Sequence, residues 1–181
     1  MTALTAPPIN TLSLTQFREA TRNYLDNEVE VEIVDVTTGV IRGGDGVFTV
    51  RVTNSTAERG VRLHDVTVHL ELRAGGEIRL QPPTSPANLE ARDGGSRSDR
   101  ELSPNEQVNE MFVFFPQAPV SPQDDVLDPG ESVDFEGRYH AQTAGTTAIK
   151  AHVHASIHPE DLFPRSNGDS TRVQVTINNA S

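Results

Sequence analysis

The stretch Val126–Ile157, VLDPGESVDFEGRYHAQTAGTTAIKAHVHASI, constrains the fold of this chain more than any other. It joins a Pro-Gly corner, an alternating run, a short polar turn and a second alternating run. Val133, Phe135, Gly137, Tyr139 and Ala141 share one parity, and Ser132, Asp134, Glu136, Arg138 and His140 share the other. Ile149, Ala151, Val153, Ala155 and Ile157 then alternate with Lys150, His152, His154 and Ser156. A period of two, with one apolar and one polar face, is the signature of half-buried β-strands. The segment Gln142–Gly145 is short enough for a hairpin turn, with Gly145 free to take positive φ. A one-residue slip would turn an apolar face to water, so the expected register sets Ala141 against Gly145, Glu136 against Lys150 and Asp134 against His152. Ahead of it, Asp128-Pro129-Gly130 reads as a turn in which proline fixes φ and glycine relieves the corner.

The rest of the chain follows the same logic. Residues 1–12 read as an extended arm interrupted by Pro7-Pro8. Ser13 with Gln16 three positions on is a capping-box pattern, and Leu14, Phe17, Thr21, Tyr24 and Leu25 fall on one helical face ending near Asp26. Two roles for this helix stand side by side: a lid over an open end of the fold, or an arm that docks on a neighbouring copy. Val29, Val31 and Ile33 alternate with glutamates, after which the parity flips to Val34 and Val36; such a flip marks a bulge or a strand crossing between sheets. Arg42–Gly46 is a turn into Phe48, Val50 and Val52. Val66, Val68, Leu70 and Leu72 form the next inward set, opposite Thr67, His69, Glu71 and Arg73, and Ile78 and Leu80 follow. Residues 85–105 are polar and glycine-rich. A loop of that length is functional, mobile or ordered by a partner. Met111–Phe115 is apolar on both parities, with Met111, Val113 and Phe115 expected inward and Phe112 and Phe114 requiring cover from a loop or another chain. Asn167-Gly168 reads as a turn into the last strand, with Val173, Val175 and Ile177 inward.

About eight turn-punctuated strands and one short N-terminal helix give the expected fold class: all-β, an immunoglobulin-like antiparallel two-sheet sandwich, with a closed barrel as the alternative. The expected division is an arm and helix over 1–27 and a sandwich over 28–181 carrying long loops at 82–106 and 116–130.

Charge and composition narrow the function. A net charge of −11 disfavours binding the phosphate backbone of nucleic acid. With no cysteine there are no disulfides, thiol nucleophiles or thiolate metal sites. Met1–Asn10 has no basic residue and no apolar run, so no secretory signal is read there, and no segment is apolar enough to insert in a membrane. The expected location is the cytoplasm or a released assembly such as a virion.

Several segments resemble the CARDB-like bacterial immunoglobulin-type modules: Asp45-Gly46-Val47 leading to Val52-Thr53-Asn54-Ser55, Asp65–Leu70, Leu127–Ser132 with its L-x-PG-E corner, and Gly145–Ala151. The resemblance covers roughly residues 30–178 and departs from the family at Ser166-Asn167-Gly168-Asp169, in the helix and in the two long loops. It implies an adhesive or architectural module and no catalytic residues.

His152-x-His154 is the most metal-like pattern, two histidines on one strand face with Asp134, Glu136 and His158 as candidate neighbours. Zinc needs three or four such donors at about 2.0–2.2 Å, and solvated histidines on a polar face are the commoner arrangement. Asp124, Asp125, Asp128, Glu160 and Asp161 offer oxygen ligands without EF-hand spacing. There is no G-x-S-x-G elbow and no phosphate loop. Phe112, Phe114, Phe17 and Tyr24 are the candidate partner-interface residues. The reading is a non-enzymatic structural or interaction module without a cofactor, a subunit of a virion (tail, fibre or capsid decoration) or surface filament. Its partners are other protein subunits, copies of itself included, with no nucleic acid and no membrane insertion. The alternative is a calcium- or carbohydrate-binding immunoglobulin-like module.

Overall fold

The computed structural model describes residues 14–54, 60–73, 77–81, 92–93, 108–114, 126–157 and 166–181. One helix, α1 (Leu14–Glu28), precedes ten strands: β1 (Glu30–Val34), β2 (Val40–Ile41), β3 (Asp45–Thr53), β4 (His64–Arg73), β5 (Ile78–Gln81), β6 (Arg92–Asp93), β7 (Val108–Phe114), β8 (Ser132–Ala141), β9 (Gly145–Ser156) and β10 (Ser166–Asn178). A four-stranded sheet has the order β1-β3-β8-β5 and a six-stranded sheet the order β2-β10-β9-β4-β7-β6. The chain is therefore an all-β, immunoglobulin-like sandwich. The expected arm, the segments 85–91, 94–105, 115–125 and 158–165, and with them Phe115 and His158, lie outside the described residues.

The Val126–Ile157 stretch does not form a hairpin. β8 pairs with β3 and β5, whereas β9 pairs with β10 and β4, so Gln142–Ala144 carry the chain from one sheet to the other. Asp134 lies opposite Arg51 and Glu136 opposite Thr49, not opposite His152 and Lys150. The reason is geometric. Alternation fixes which side of a strand faces the core, and two strands facing each other across a sandwich satisfy it as well as two neighbours in one sheet. Gly145 does take positive φ, at 148°. The parity flip after Ile33 is a crossing between sheets: β1 belongs to the first, Asp35 stands at φ 52°, and β2 joins the second beside β10. Asn167-Gly168 lies inside β10 at a shift of register rather than in a turn before it.

Both sheets bury one parity. Val50, Val52, Phe135, Tyr139 and Ala141 from the first meet Val68, Leu70, Ile149, Ala151 and Val153 from the second, each at 1% exposure or less. Two glycines make room for rings. Gly46 sits opposite Tyr139 and Gly137 opposite Phe48 on the β3–β8 pair. A Cβ on Gly46 would lie 2.1 Å from Tyr139 Cζ, and one on Gly137 would lie 2.1 Å from Phe48 Cζ. Each aromatic ring thus covers the glycine across from it, and the Tyr139 hydroxyl donates to the Thr37 carbonyl at 2.5 Å.

Helix α1 is part of this core. Phe17 is 1% exposed, Tyr24 5% and Leu25 0%, packed in one cluster with sheet residues. Phe17 and Tyr24 were expected to offer a partner interface; as arranged they bury that surface in their own chain, because an amphipathic stripe beside an open sandwich end is closed off most readily from within. The Tyr24 hydroxyl donates to Asn54 Oδ1 at 2.9 Å and accepts from the Val61 amide at 2.9 Å. Asn54, 2% exposed, donates through Nδ2 to the Val61 and Leu127 carbonyls at 2.9 Å each. Leu63 and Leu127 exchange both backbone hydrogen bonds at 3.0 Å. Next to them, Gly130 at φ 84° and the Glu131 amide bonded to the Asp128 carbonyl close the Pro-Gly corner, and Glu131 Oε2 accepts from the Asp128 amide. Helix, strand end and Leu127 are tied by one buried set of hydrogen bonds, with the more exposed corner beside it. Among the described residues no helix is long and apolar enough to cross a membrane.

Candidate functional site

The polar side of the β4–β9 pair gathers three of the chain's six histidines. His69 lies directly opposite His152, Thr67 opposite His154 and Glu71 opposite Lys150. Directly paired residues share a face, so His69, His152 and His154 stand together on the outward side of the six-stranded sheet. The His69 and His152 ring centroids are 5.3 Å apart, and those of His69 and His154 are 4.7 Å apart with the rings nearly perpendicular. His152 Nδ1 lies 3.9 Å from Glu71 Oε1, an ionic contact longer than a hydrogen bond.

This stripe is shielded although it points away from the core. Thr67 and Ser156 are 1% exposed, His152 8% and Glu71 9%. Glu71 Oε2 is buried and has no hydrogen-bond partner. A buried polar atom left unsatisfied costs about 1–3 kcal/mol, more when charged. Imidazoles titrate near neutral pH and ligate metals, and a carboxylate orients them or accepts their protons. Lys150, half-buried, stands across from Glu71 on one side and Arg172 on the other.

The sequence reading is partly redrawn. His152 and His154 do share a face, but Asp134 is on β8 in the other sheet, held by Arg51 through two hydrogen bonds of 2.8 and 2.9 Å. The bond from Arg51 holds the Asp134 carboxyl below its usual range. Glu136 is likewise in the four-stranded sheet. The residue that joins the histidines is His69, whose outward parity was legible but whose neighbour on β9 was not. Among the described residues no three or more His, Cys, Asp or Glu side chains are grouped, as placed, to hold a metal ion. Of the acidic candidates, Asp128 is engaged by Arg62, and Asp124, Asp125, Glu160 and Asp161 lie outside the described residues. On β7, Phe112 pairs with Leu70 and Phe114 with Val68, whereas Met111 pairs with Glu71 and Val113 with His69. Phe112 and Phe114 therefore take core-side positions on the strand and Met111 and Val113 the outward ones, the reverse of expectation; the side chains of all four lie outside the described residues. A strand apolar on both parities gives no signal of which side faces in.

No protein-family profile matches the chain. No curated protein matches it in sequence. Among solved structures it is similar to AvmM, described as catalysing macrocyclization in alchivemycin A biosynthesis, at 13% identity and a TM-score of 0.55, over 86% of this chain and 92% of that one. It is also similar to a cohesin module of a Clostridium perfringens family 33 glycoside hydrolase, at 10% identity and a TM-score of 0.43, over 84% and 97% of the two chains. The full-length major pilin SpaD of Corynebacterium diphtheriae matches at 8% identity and a TM-score of 0.42, over 80% of this chain and 34% of the pilin. At these identities the likeness to AvmM is one of fold, and the chain stands as an immunoglobulin-like sandwich.

Proposed function

We propose that the protein is a non-enzymatic interaction module, an immunoglobulin-like scaffold that serves as a subunit of a larger protein assembly of the virion (tail, fibre or capsid decoration) or surface-filament type. Its architecture is of the adhesive kind that the CARDB-like resemblance implies. The observation that supports this reading is the division between a filled scaffold and its long connections. The described interior is closed by side chains from both sheets and from α1. Segments 82–91, 94–107 and 115–125 join β5 to β6, β6 to β7, and β7 to the corner before β8. β5 and β7 adjoin across the sandwich. Recognition is commonly placed on long polar loops held by a rigid frame. The partners are other protein subunits, copies of this chain included.

Light scattering across a wide concentration range, alone and with candidate assembly subunits, tests this. The expected result is association that weakens when 94–107 is replaced by a short Gly-Ser linker while the thermal transition stays in place. A strict monomer at high concentration that retains no partner in pull-down overturns it.

A further inference from the structure

We propose that β1 is a docking edge that takes an extended, basic segment of a partner protein as a further strand of the four-stranded sheet. The inference rests on the assembly reading above and names the chemistry of one partner. Its first support is the edge itself. β1 pairs with β3 on one side and, among the described residues, with no strand on the other. Its five residues span about 17 Å, an ordinary strand length. The other edges offer less: β2 and β6 have two residues each, and Leu80 in β5 is already engaged. A sheet edge presents amides and carbonyls that an added strand satisfies.

The second support is charge. Glu30 and Glu32 are exposed on the outward parity, on either side of Val31, which is 4% exposed and packed into the core. Neither glutamate is neutralised from within its sheet. Glu32 lies opposite Arg51, but Arg51 donates from Nε and Nη2 to the Asp134 carboxylate at 2.8 and 2.9 Å. Glu30 lies opposite Thr53, whose hydroxyl meets that of Ser132 at 2.8 Å. Carboxylates at alternate positions match basic side chains at alternate positions of an incoming strand, since directly opposed residues share a face. The third residue of the row is half-buried Val34, and beyond it on β3 stands Val47, 49% exposed. The next outward side chain of the incoming strand covers them, so the recognised pattern is two basic residues and one apolar residue at alternate positions.

The same charges disfavour a second copy as the occupant. Two β1 strands paired edge to edge set glutamate against glutamate, in chains that each carry a net charge of −11. Charge on an edge strand is a guard against indiscriminate pairing; here it leaves the edge open to a basic strand. Asp35, at φ 52°, ends the row.

The test is a fluorescence-anisotropy titration of the full chain with a labelled peptide of alternating arginine and valine, paired with amide hydrogen exchange. The expected result is binding that weakens with salt, with protection gained at residues 30–34. A peptide with glutamate in place of arginine does not bind. Nor does the arginine peptide N-methylated throughout, which keeps its charge but has no donor for the edge. Glu30→Gln/Glu32→Gln weakens binding by about 2–30-fold, as the loss of two exposed ion pairs implies. Glu136→Gln, exposed on β8 of the same sheet, changes it by less than about twofold. No binding of the arginine peptide, equal binding of its N-methylated form, or protection gained elsewhere than at β1 overturns the proposal. So does protection of β1 that rises with protein concentration in the absence of peptide, which assigns the edge to a second copy. A chain that takes the peptide yet recovers no subunit partner sinks the assembly reading alone; one that associates with subunits and refuses the peptide sinks this proposal alone.

Discussion

Replacing Gly137 by alanine puts a methyl carbon 2.1 Å from Phe48 Cζ, 2.5 Å from Cε2 and 2.7 Å from Cε1. Ordinary carbon–carbon contact is about 3.5–4.0 Å, so the ring must retreat by roughly 1.5 Å. It has little room to do so, because Phe48 is 1% exposed among residues equally buried. Among the described residues the glycines at positive φ are Gly39, Gly43, Gly130 and Gly145, and Gly137 is not one of them, so the demand is for space and not for a special backbone. Overpacking of this kind costs about 1–3 kcal/mol, which for a domain of this size lowers the melting temperature by roughly 2–4 °C per kcal/mol. A double-mutant cycle isolates the cause. Phe48→Ala alone leaves a cavity worth about 3–5 kcal/mol, and with the ring gone the added methyl meets no obstacle. The pair Gly137→Ala/Phe48→Ala is therefore expected to be more stable than the sum of the singles by about 1–3 kcal/mol, within the range seen for coupled neighbours. Urea unfolding at constant m-value reads all four corners. A Gly137→Ala variant as stable as the parent, or a cycle additive within about 0.5 kcal/mol, refutes the reading of Gly137 as the seat of the Phe48 ring.

Three further outcomes follow from contacts elsewhere. Tyr24→Phe keeps the ring in the core but strips a donor from Asn54 Oδ1 and an acceptor from the Val61 amide; a loss of about 1–3 kcal/mol is expected in urea unfolding, and a neutral result would show that this buried set of hydrogen bonds does not hold the helix. Gly130→Ala forces a side chain into the left-handed region at φ 84° and is expected to cost about 1–2 kcal/mol, whereas Gly168→Ala would be refused by Leu25 Cβ at 2.0 Å rather than by its backbone; melting temperatures compare the two. Asp134 has its pKa lowered by the hydrogen bond from Arg51, so its contribution is present above the unfolded carboxyl value and is lost as pH falls through the lower folded value. Asp134→Asn should therefore be slightly less stable than the parent at neutral pH, with the gap closing in acid; a gap that persists after Asp134 is protonated counts against the ion pair as its origin.

How far the sequence reaches is clearest at β4 and β9. Alternation placed His69, Glu71, His152 and His154 on polar parities correctly, because burying a charged face is costly enough to fix the side each residue takes. It could not place them together, since the period of a strand carries no information about its neighbour in the sheet. The same gap turned β8 and β9 into an apparent hairpin when the chain crosses between sheets at Gln142–Ala144. Phe112 and Phe114 show a different limit: with both parities apolar, only the register to Leu70 and Val68 assigns their side of the strand. Asn54 was legible as a strand end but not as the residue that ties Val61, Leu127 and Tyr24 together, because its partners come from three distant segments.

The crossing at Gln142–Ala144 also bears on how the chain reaches its native state. β3 ends at Thr53, and its partner β8 begins at Ser132. β4 ends at Arg73, and its partner β9 begins at Gly145. Each sheet therefore waits for a strand from the far half of the chain, and the ends must be brought together before those pairings reward the lost entropy. During synthesis β3 has only β1 to pair with, and β4 only β7, so one edge of each stays open until residues 132–156 follow. A chain cut before Ser132 has no four-stranded sheet to complete, and its exposed strands are templates for aggregation. Pairings this far apart in sequence are expected to make folding slow.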